Sequence, residues 1–234
     1  MATPTRFPSG VSTQAVNRTL GMFPSMDPTD PVQNFHDFYQ YVAADWTVTN
    51  TTSHATIALA AGAGGVLSLA GGASSVTNDI AAVISNPLNV SFTSGQQVWG
   101  YFGFKVSTVA NDQIQMGITT ANSALTPTAG IYFNKAAAAS TIDFVVRSAS
   151  TSTTQSAVAT LVDATYVRLG FYYNGKDAVD VFVNDAKVYS QTVLTNLPTA
   201  QNLALGFGFK SAATAPTTSD LIVDFAMAAS DRSY

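Results

Sequence analysis

Between Thr165 and Val193 the chain alternates apolar and polar residues with a period of two, broken by the turn-forming pairs Asn174-Gly175 and Asn184-Asp185. Such a pattern admits little except antiparallel strands, because a slip of one residue turns every apolar side chain to the wrong face. Thr165–Tyr173 reads as one strand, Asp177–Val183 as its return and Lys187–Val193 as a third. Asn174-Gly175 is the preferred pair for a two-residue hairpin turn, in which both positions take positive φ. Asn184-Asp185 supplies a second tight turn.

The same period continues elsewhere. Gln97–Ser107 places Val98, Gly100, Phe102, Phe104 and Val106 on one face and Trp99, Tyr101, Gly103 and Lys105 on the other. Its two glycines mark a close backbone approach or a bend. Asp45–Asn50, Asp79–Ser85, Leu88–Thr93, Asp112–Thr119, Gly130–Asn134, Thr141–Arg147, Ser156–Val162, Asn202–Lys210 and Asp220–Ala228 read as further strands. His54–Ala73 has nearly the length of a membrane span, but Gly62, Gly64, Gly65 and Gly71 interrupt it. Two strands, Thr56–Ala60 and Val66–Ala70, joined through Gly62–Gly65, fit it better. The residues that usually cover helices are nearly missing, since there is no Glu and Lys plus Arg total 10. The expected fold is all-β: a two-sheet antiparallel sandwich over residues 35–234, with no interior linker.

Residues 1–34 differ. Pro4, Pro8, Pro24, Pro28 and Pro31 fall there with no sustained period, which predicts an extended arm. Phe7, Leu20, Met22, Phe23 and Met26 give it apolar anchors suited to a neighbouring subunit or another protein surface. The N-terminus has no apolar run of the secretory type, so no signal peptide is expected.

Several chemistries are excluded or weakened. Cysteine is absent, so no thiol nucleophile or zinc–thiolate site is possible. His36 and His54 are the only histidines, no Gly-x-Ser-x-Gly elbow accompanies them, and His36 sits in an aromatic segment where a structural role is expected. A net charge of −4 gives no basic footprint for nucleic acid. The acidic pairs Asp177/Asp180 and Asp220/Asp224 are the obvious carboxylates for glycoside hydrolysis. The second pair, four residues apart on one strand, is separated by about 13 Å, too far for such a dyad. Asp177, Asn184 and Asp185 offer oxygen donors of the kind calcium takes, but without EF-hand spacing. Among the aromatics, Trp46, Trp99, Tyr101, Tyr132, Tyr172 and Tyr173 raise the question of a sugar platform. Trp99 and Tyr101 share a strand face and are the first pair to test.

The run from Tyr166 to Val188, with the closing Leu203–Lys210 and Asp220–Ala228 segments, resembles the laminin-G-like, concanavalin-A-like jelly roll. Asn184-Asp185 stands where that family often has Asp-Gly. The whole chain also resembles tailed-bacteriophage virion structural proteins, through the opening Ala2–Val11, the Asp27-Pro-Thr segment, Phe35…Trp46-Thr-Val-Thr and the ending Asp224–Ser233. This resemblance implies a non-enzymatic capsid decoration or cement protein on the virion surface, made in the host cytoplasm. Its partners would be the major capsid protein and sister copies in a homotrimer, gripped through the arm. It implies no cofactor, no metal, no membrane and no nucleic acid. The alternative is a carbohydrate-binding module or receptor-binding fibre domain, with Trp99 and Tyr101 as the glycan platform.

Overall fold

The computed structural model describes residues 31–50, 56–62, 64–71, 79–86, 90–110, 112–120, 125–199, 201–211 and 220–231. Among them, fifteen strands and one 3-10 turn at Ala43–Asp45 account for the regular structure. In chain order the strands are β1 Pro31–His36, β2 Trp46–Asn50, β3 Thr56–Ala60, β4 Val66–Ala70, β5 Ile80–Ser85, β6 Val98–Val106, β7 Asp112–Thr119 and β8 Gly130–Lys135. They continue with β9 Thr141–Ser148, β10 Thr151–Thr160, β11 Val167–Tyr173, β12 Val179–Val183, β13 Ala186–Gln191, β14 Ala204–Ser211 and β15 Asp220–Asp231.

Two antiparallel sheets result. One runs β13-β12-β11-β6-β15-β4-β3, with β1 also paired to β15, and the other runs β10-β9-β8-β7-β14-β5-β2. β15 faces β14, β4 faces β5, β6 faces β7, and β10 meets β12 and β13. The sheets therefore stack edge over edge as a sandwich. The expected all-β sandwich is the observed fold.

Alternation explains the core. Phe102 and Phe104 of β6 and Phe171 of β11 point inward from one sheet, Phe133 of β8 and Phe144 of β9 from the other, all essentially inaccessible to water. The Phe171 ring lies 6.3 Å from that of Phe133 and 6.1 Å from that of Phe144, so aromatic packing ties the sheets together. Each such buried ring contributes roughly 1.5–3 kcal/mol through burial. The glycines of β6 make room for neighbours on both faces. A Cβ at Gly100 would overlap the inward Phe171 ring, and a Cβ at Gly103 the outward Phe225 ring.

Three local expectations change. Residues 31–34 are not part of an extended arm but the first four residues of β1, pairing Pro31 with Asp231 through Asn34 with Ala228. Pro31 is tolerated because it is the first residue of its strand. The arm anchors Phe7, Leu20, Met22, Phe23 and Met26, like His54, lie outside the described residues.

The second change concerns the hairpin turns. Asn174-Gly175 is not a two-residue turn, because β11 ends at Tyr173 and β12 begins at Val179. Asn174 instead organises the loop with its side chain, whose Oδ1 accepts the backbone N–H groups of Lys176, Asp177 and Ala178 at 2.9, 3.0 and 3.1 Å. The true two-residue turn is Asn184-Asp185, with φ of 48° and 68°. It takes up the mirror-image geometry that matches strand twist.

Third, the expected strand over Leu88–Thr93 reduces, among the described residues, to an isolated bridge between Val90 and Leu203. The stretch of near membrane-span length is the β3–β4 pair, from Thr56 opposite Ala70 to Ala60 opposite Val66. No described helix is long and apolar enough to cross a membrane.

Candidate functional site

The outer face of the eight-stranded sheet carries an aromatic run built by strand register. Tyr172 of β11 lies opposite Trp99 of β6, and Trp99 opposite Ala229 of β15. Two residues along, Tyr101 pairs with Met227, which pairs with Phe35 of β1. The rings follow this order. Trp99 and Tyr172 stack at 5.4 Å with planes 28° apart. Tyr101 and Phe225 are 5.0 Å apart, and Phe225 lies 6.5 Å from Phe35. Phe225 reaches this position because Gly103 beneath it has no side chain.

Exposure divides the run. Trp99 is only 6% accessible, packed with Met227 and Ala229 and flanked by Tyr101 and Tyr172. Tyr101, Tyr172 and Phe225 are half-buried, and Phe35 is exposed. The sequence expectation of a Trp99–Tyr101 pair is thus met in position but not in presentation. Trp99 supports the face from below, and Tyr172 offers the accessible ring. Of the other platform aromatics, Trp46 packs in the core 5.6 Å from Phe207, and Tyr173 packs 5.8 Å from Phe92. Tyr132 belongs to β8 in the other sheet and is buried.

A polar border runs along the β12–β13 side. The Asn184-Asp185 turn carries Asp185 back over the face, where it accepts the Tyr101 hydroxyl and pairs with Arg168 Nη2 at 2.5 Å. Asp180 of β12 pairs with Lys187 Nζ at 2.7 Å and accepts the Ser190 hydroxyl at 2.6 Å. Burial, then Asp231, then Asp180 raise the Tyr172 hydroxyl above its usual pKa, so it stays a neutral donor at physiological pH. Further along β6, Lys105 Nζ lies 4.8 Å from the centroid of the Tyr166 ring, which precedes β11. Nothing in the sequence singles out Arg168 as a site residue, and Asp185 stands out there only as an oxygen donor for calcium. The signal for both is the turn pair itself, which fixes where the second turn residue points.

The carboxylate pairs do not assemble into an acid–base dyad. Asp177 lies in the β11–β12 loop, bonded by Asn174 Nδ2 at 2.8 Å, while Asp180 faces Lys187. Asp220 begins β15, and Asp224 stands at a break in register between Val223 and Phe225. Burial first, and the Asp37 charge second, raise the Asp224 carboxyl. Asp177 and the Asn184-Asp185 turn lie at opposite ends of β12, so these oxygen donors do not converge on one cation. Among the described residues, no group of three or more His or Asp side chains could hold a metal. His36 packs 4.5 Å from the Trp46 ring, and burial lowers its pKa against the opposing pull of Asp45. Its surroundings are structural, as expected.

A family model described as the SO2946-like C-terminal domain matches residues 63–224. The chain belongs to this family. Among solved structures, the SO2946 protein of unknown function from Shewanella oneidensis MR-1 is 14% identical, with a TM-score of 0.59 over 88% of this chain and 90% of that one. An endo-1,3-beta-glucanase from Streptomyces sioyaensis is 9% identical, with a TM-score of 0.62 over 87% of this chain and 98% of that one. Peanut lectin is 12% identical, with a TM-score of 0.54 over 87% of this chain and 99% of that one. At such identities the likeness establishes the SO2946-like domain's lectin- and glucanase-type jelly roll and nothing about its ligand. No curated protein matches the chain.

Proposed function

We infer that this SO2946-like domain is a non-catalytic carbohydrate-binding module using the outer face of the eight-stranded sheet. The observation that carries the reading is the run of half-exposed rings Tyr172, Tyr101 and Phe225, backed by buried Trp99 and bordered by Asp180, Asp185 and Arg168. Aromatic rings offer an apolar surface to the C–H faces of a sugar, and the border supplies a few directed polar groups for its hydroxyls. Asp180 and Asp185 are each held by a cation and a hydroxyl, an arrangement suited to orienting a ligand rather than exchanging protons. Jelly-roll lectins and glucanases use the same architecture, which makes a glycan a natural first ligand class. The test is a glycan array followed by calorimetry on the wild type and Tyr172→Ala. Binding that is lost in a folded variant supports the reading, and a folded wild type that binds no glycan removes it.

A second reading, attachment to a virus shell, rests on the sequence resemblance to virion structural proteins and on the apolar residues that precede β1. Phe7, Leu20, Met22, Phe23 and Met26 would supply the apolar contacts to the shell. On this reading the major capsid protein is the partner and the virion surface the location. Deleting residues 2–30 should then abolish binding to particles while the sandwich stays folded. Unchanged binding by the truncated chain removes this reading.

A further inference from the structure

The two sides of the sandwich treat their outermost strands differently. On one side lie β13 and β10. β13 carries Lys187, its ladder with β12 breaks between Val181 and Phe182, and the β10–β9 ladder breaks between Gln155 and Ala159. Ala157, inside that second break, has a φ of 56°. Charges and bulges of this kind keep an exposed strand from accepting another.

The other side has neither device on its β3 edge. β3 reads Thr56-Ile-Ala-Leu-Ala60, with no charge and no proline, and pairs with β4 without a break in register. Among the described residues, no strand pairs with its other edge, so its outward N–H and C=O groups have no ladder there. Thr56, Ala58 and Leu59 are exposed, Leu59 at 46%. Exposed apolar side chains lie nearby in the fold. Val48 is on β2, the outermost strand of the facing sheet, and Tyr39 follows Phe38, whose carbonyl lies against Gly65 in the β3–β4 turn.

We propose that β3 pairs antiparallel with β3 of a second copy of this chain, making a two-fold dimer with one continuous sheet. The chain carries a net charge of −4, yet this edge contributes none of it, so a second copy meets no like charge here. A two-fold at Ala58 sets Ile57 against Leu59, apolar opposite apolar, and the small uncharged Thr56 against Ala60, with the two alanines at the axis. The edge is thus complementary to itself, which is what an isologous contact requires. A five-residue strand pair is small beside the roughly 800 Å² per partner of a stable interface, so the proposed dimer requires further exposed apolar side chains such as Tyr39 and Val48 to join it.

The test is sedimentation of the full chain across low-micromolar to millimolar concentration, with Ala58→Lys and Ala58→Glu. The wild type should be a dimer. Each variant should associate at least about ten-fold more weakly, because identical charges meet at the axis. An equal mixture of the two variants should recover the dimer, an outcome that general destabilisation of β3 would not produce. A monomeric or trimeric wild type overturns the proposal, as does a dimer that neither variant weakens.

Discussion

Tyr101 donates its hydroxyl to Asp185 across the whole width of β11, joining the centre of the eight-stranded sheet to the β12–β13 turn. The same carboxylate holds Arg168 on the strand between them. One turn residue in left-handed backbone therefore fixes two side chains of the candidate sugar face. Tyr101→Phe should cost about 1–2 kcal/mol in chemical denaturation, because it leaves a largely buried carboxylate short of a donor. In a double-mutant cycle with Arg168→Ala the losses should be non-additive. Additive losses would mean that Asp185 serves each partner separately.

Gly103 and Gly100 offer a contrast within one strand. Gly103→Val should push Phe225 off the outer face and weaken glycan binding, because the cost falls on the surface run. Gly100→Val drives a side chain into Phe171 at the junction of the two sheets, where overpacking costs about 1–3 kcal/mol or more. Thermal unfolding of both variants beside ligand titration separates the effects. Equal destabilisation by both would contradict the distinction between the faces.

Lys135 is a cation placed inside. It is fully buried, and its ammonium donates to the Asp112 carbonyl and, at 3.2 Å, to that of Ala136. Burial lowers its pKa from 10.5 to about 8, with the Asp112 charge pulling the other way. Between those values the unfolded chain binds the extra proton, so stability rises with pH through this window. Relative to Lys135→Met, the wild type should gain roughly 1–2 kcal/mol between neutral pH and pH ~9.5, because each step of one in pH within the window adds up to about 1.4 kcal/mol. Parallel pH profiles for the two proteins would show that the amine stays solvated.

His36 acts in the acidic range. Its pKa is depressed below 6.5 by burial among Phe38 and Trp46. The unfolded chain therefore takes up a proton first, and stability is lost as pH falls through 6.5. His36→Phe should flatten the urea midpoint between pH 7 and pH ~5. A variant whose midpoint falls as steeply as the wild type would assign the acid sensitivity elsewhere.

Much of this architecture is legible in the sequence because a period of two is a local signal. Asp112–Thr119 and the β3–β4 pair appear where alternation puts them, and β6 turns the expected residues to each face. What alternation does not convey is depth. Trp99 and Tyr172 are both outward, yet cross-strand stacking buries one beneath the other, and that depends on which strands become neighbours. The turn at Asn174 departs from expectation for a related reason. Its side chain satisfies three backbone donors at once, and that local bonding outcompetes the two-residue geometry favoured by the following glycine.

The pairing of β1 with β15 has a kinetic consequence. Pro31 meets Asp231, about two hundred residues later in the sequence. β6, near the centre of the same sheet, also completes its ladder only when β15 arrives. During synthesis most strands of this sheet leave the ribosome before the strand that joins them. Closing so large a loop before any contact rewards it slows folding. Completion of this sheet should therefore be late and cooperative, waiting on β15.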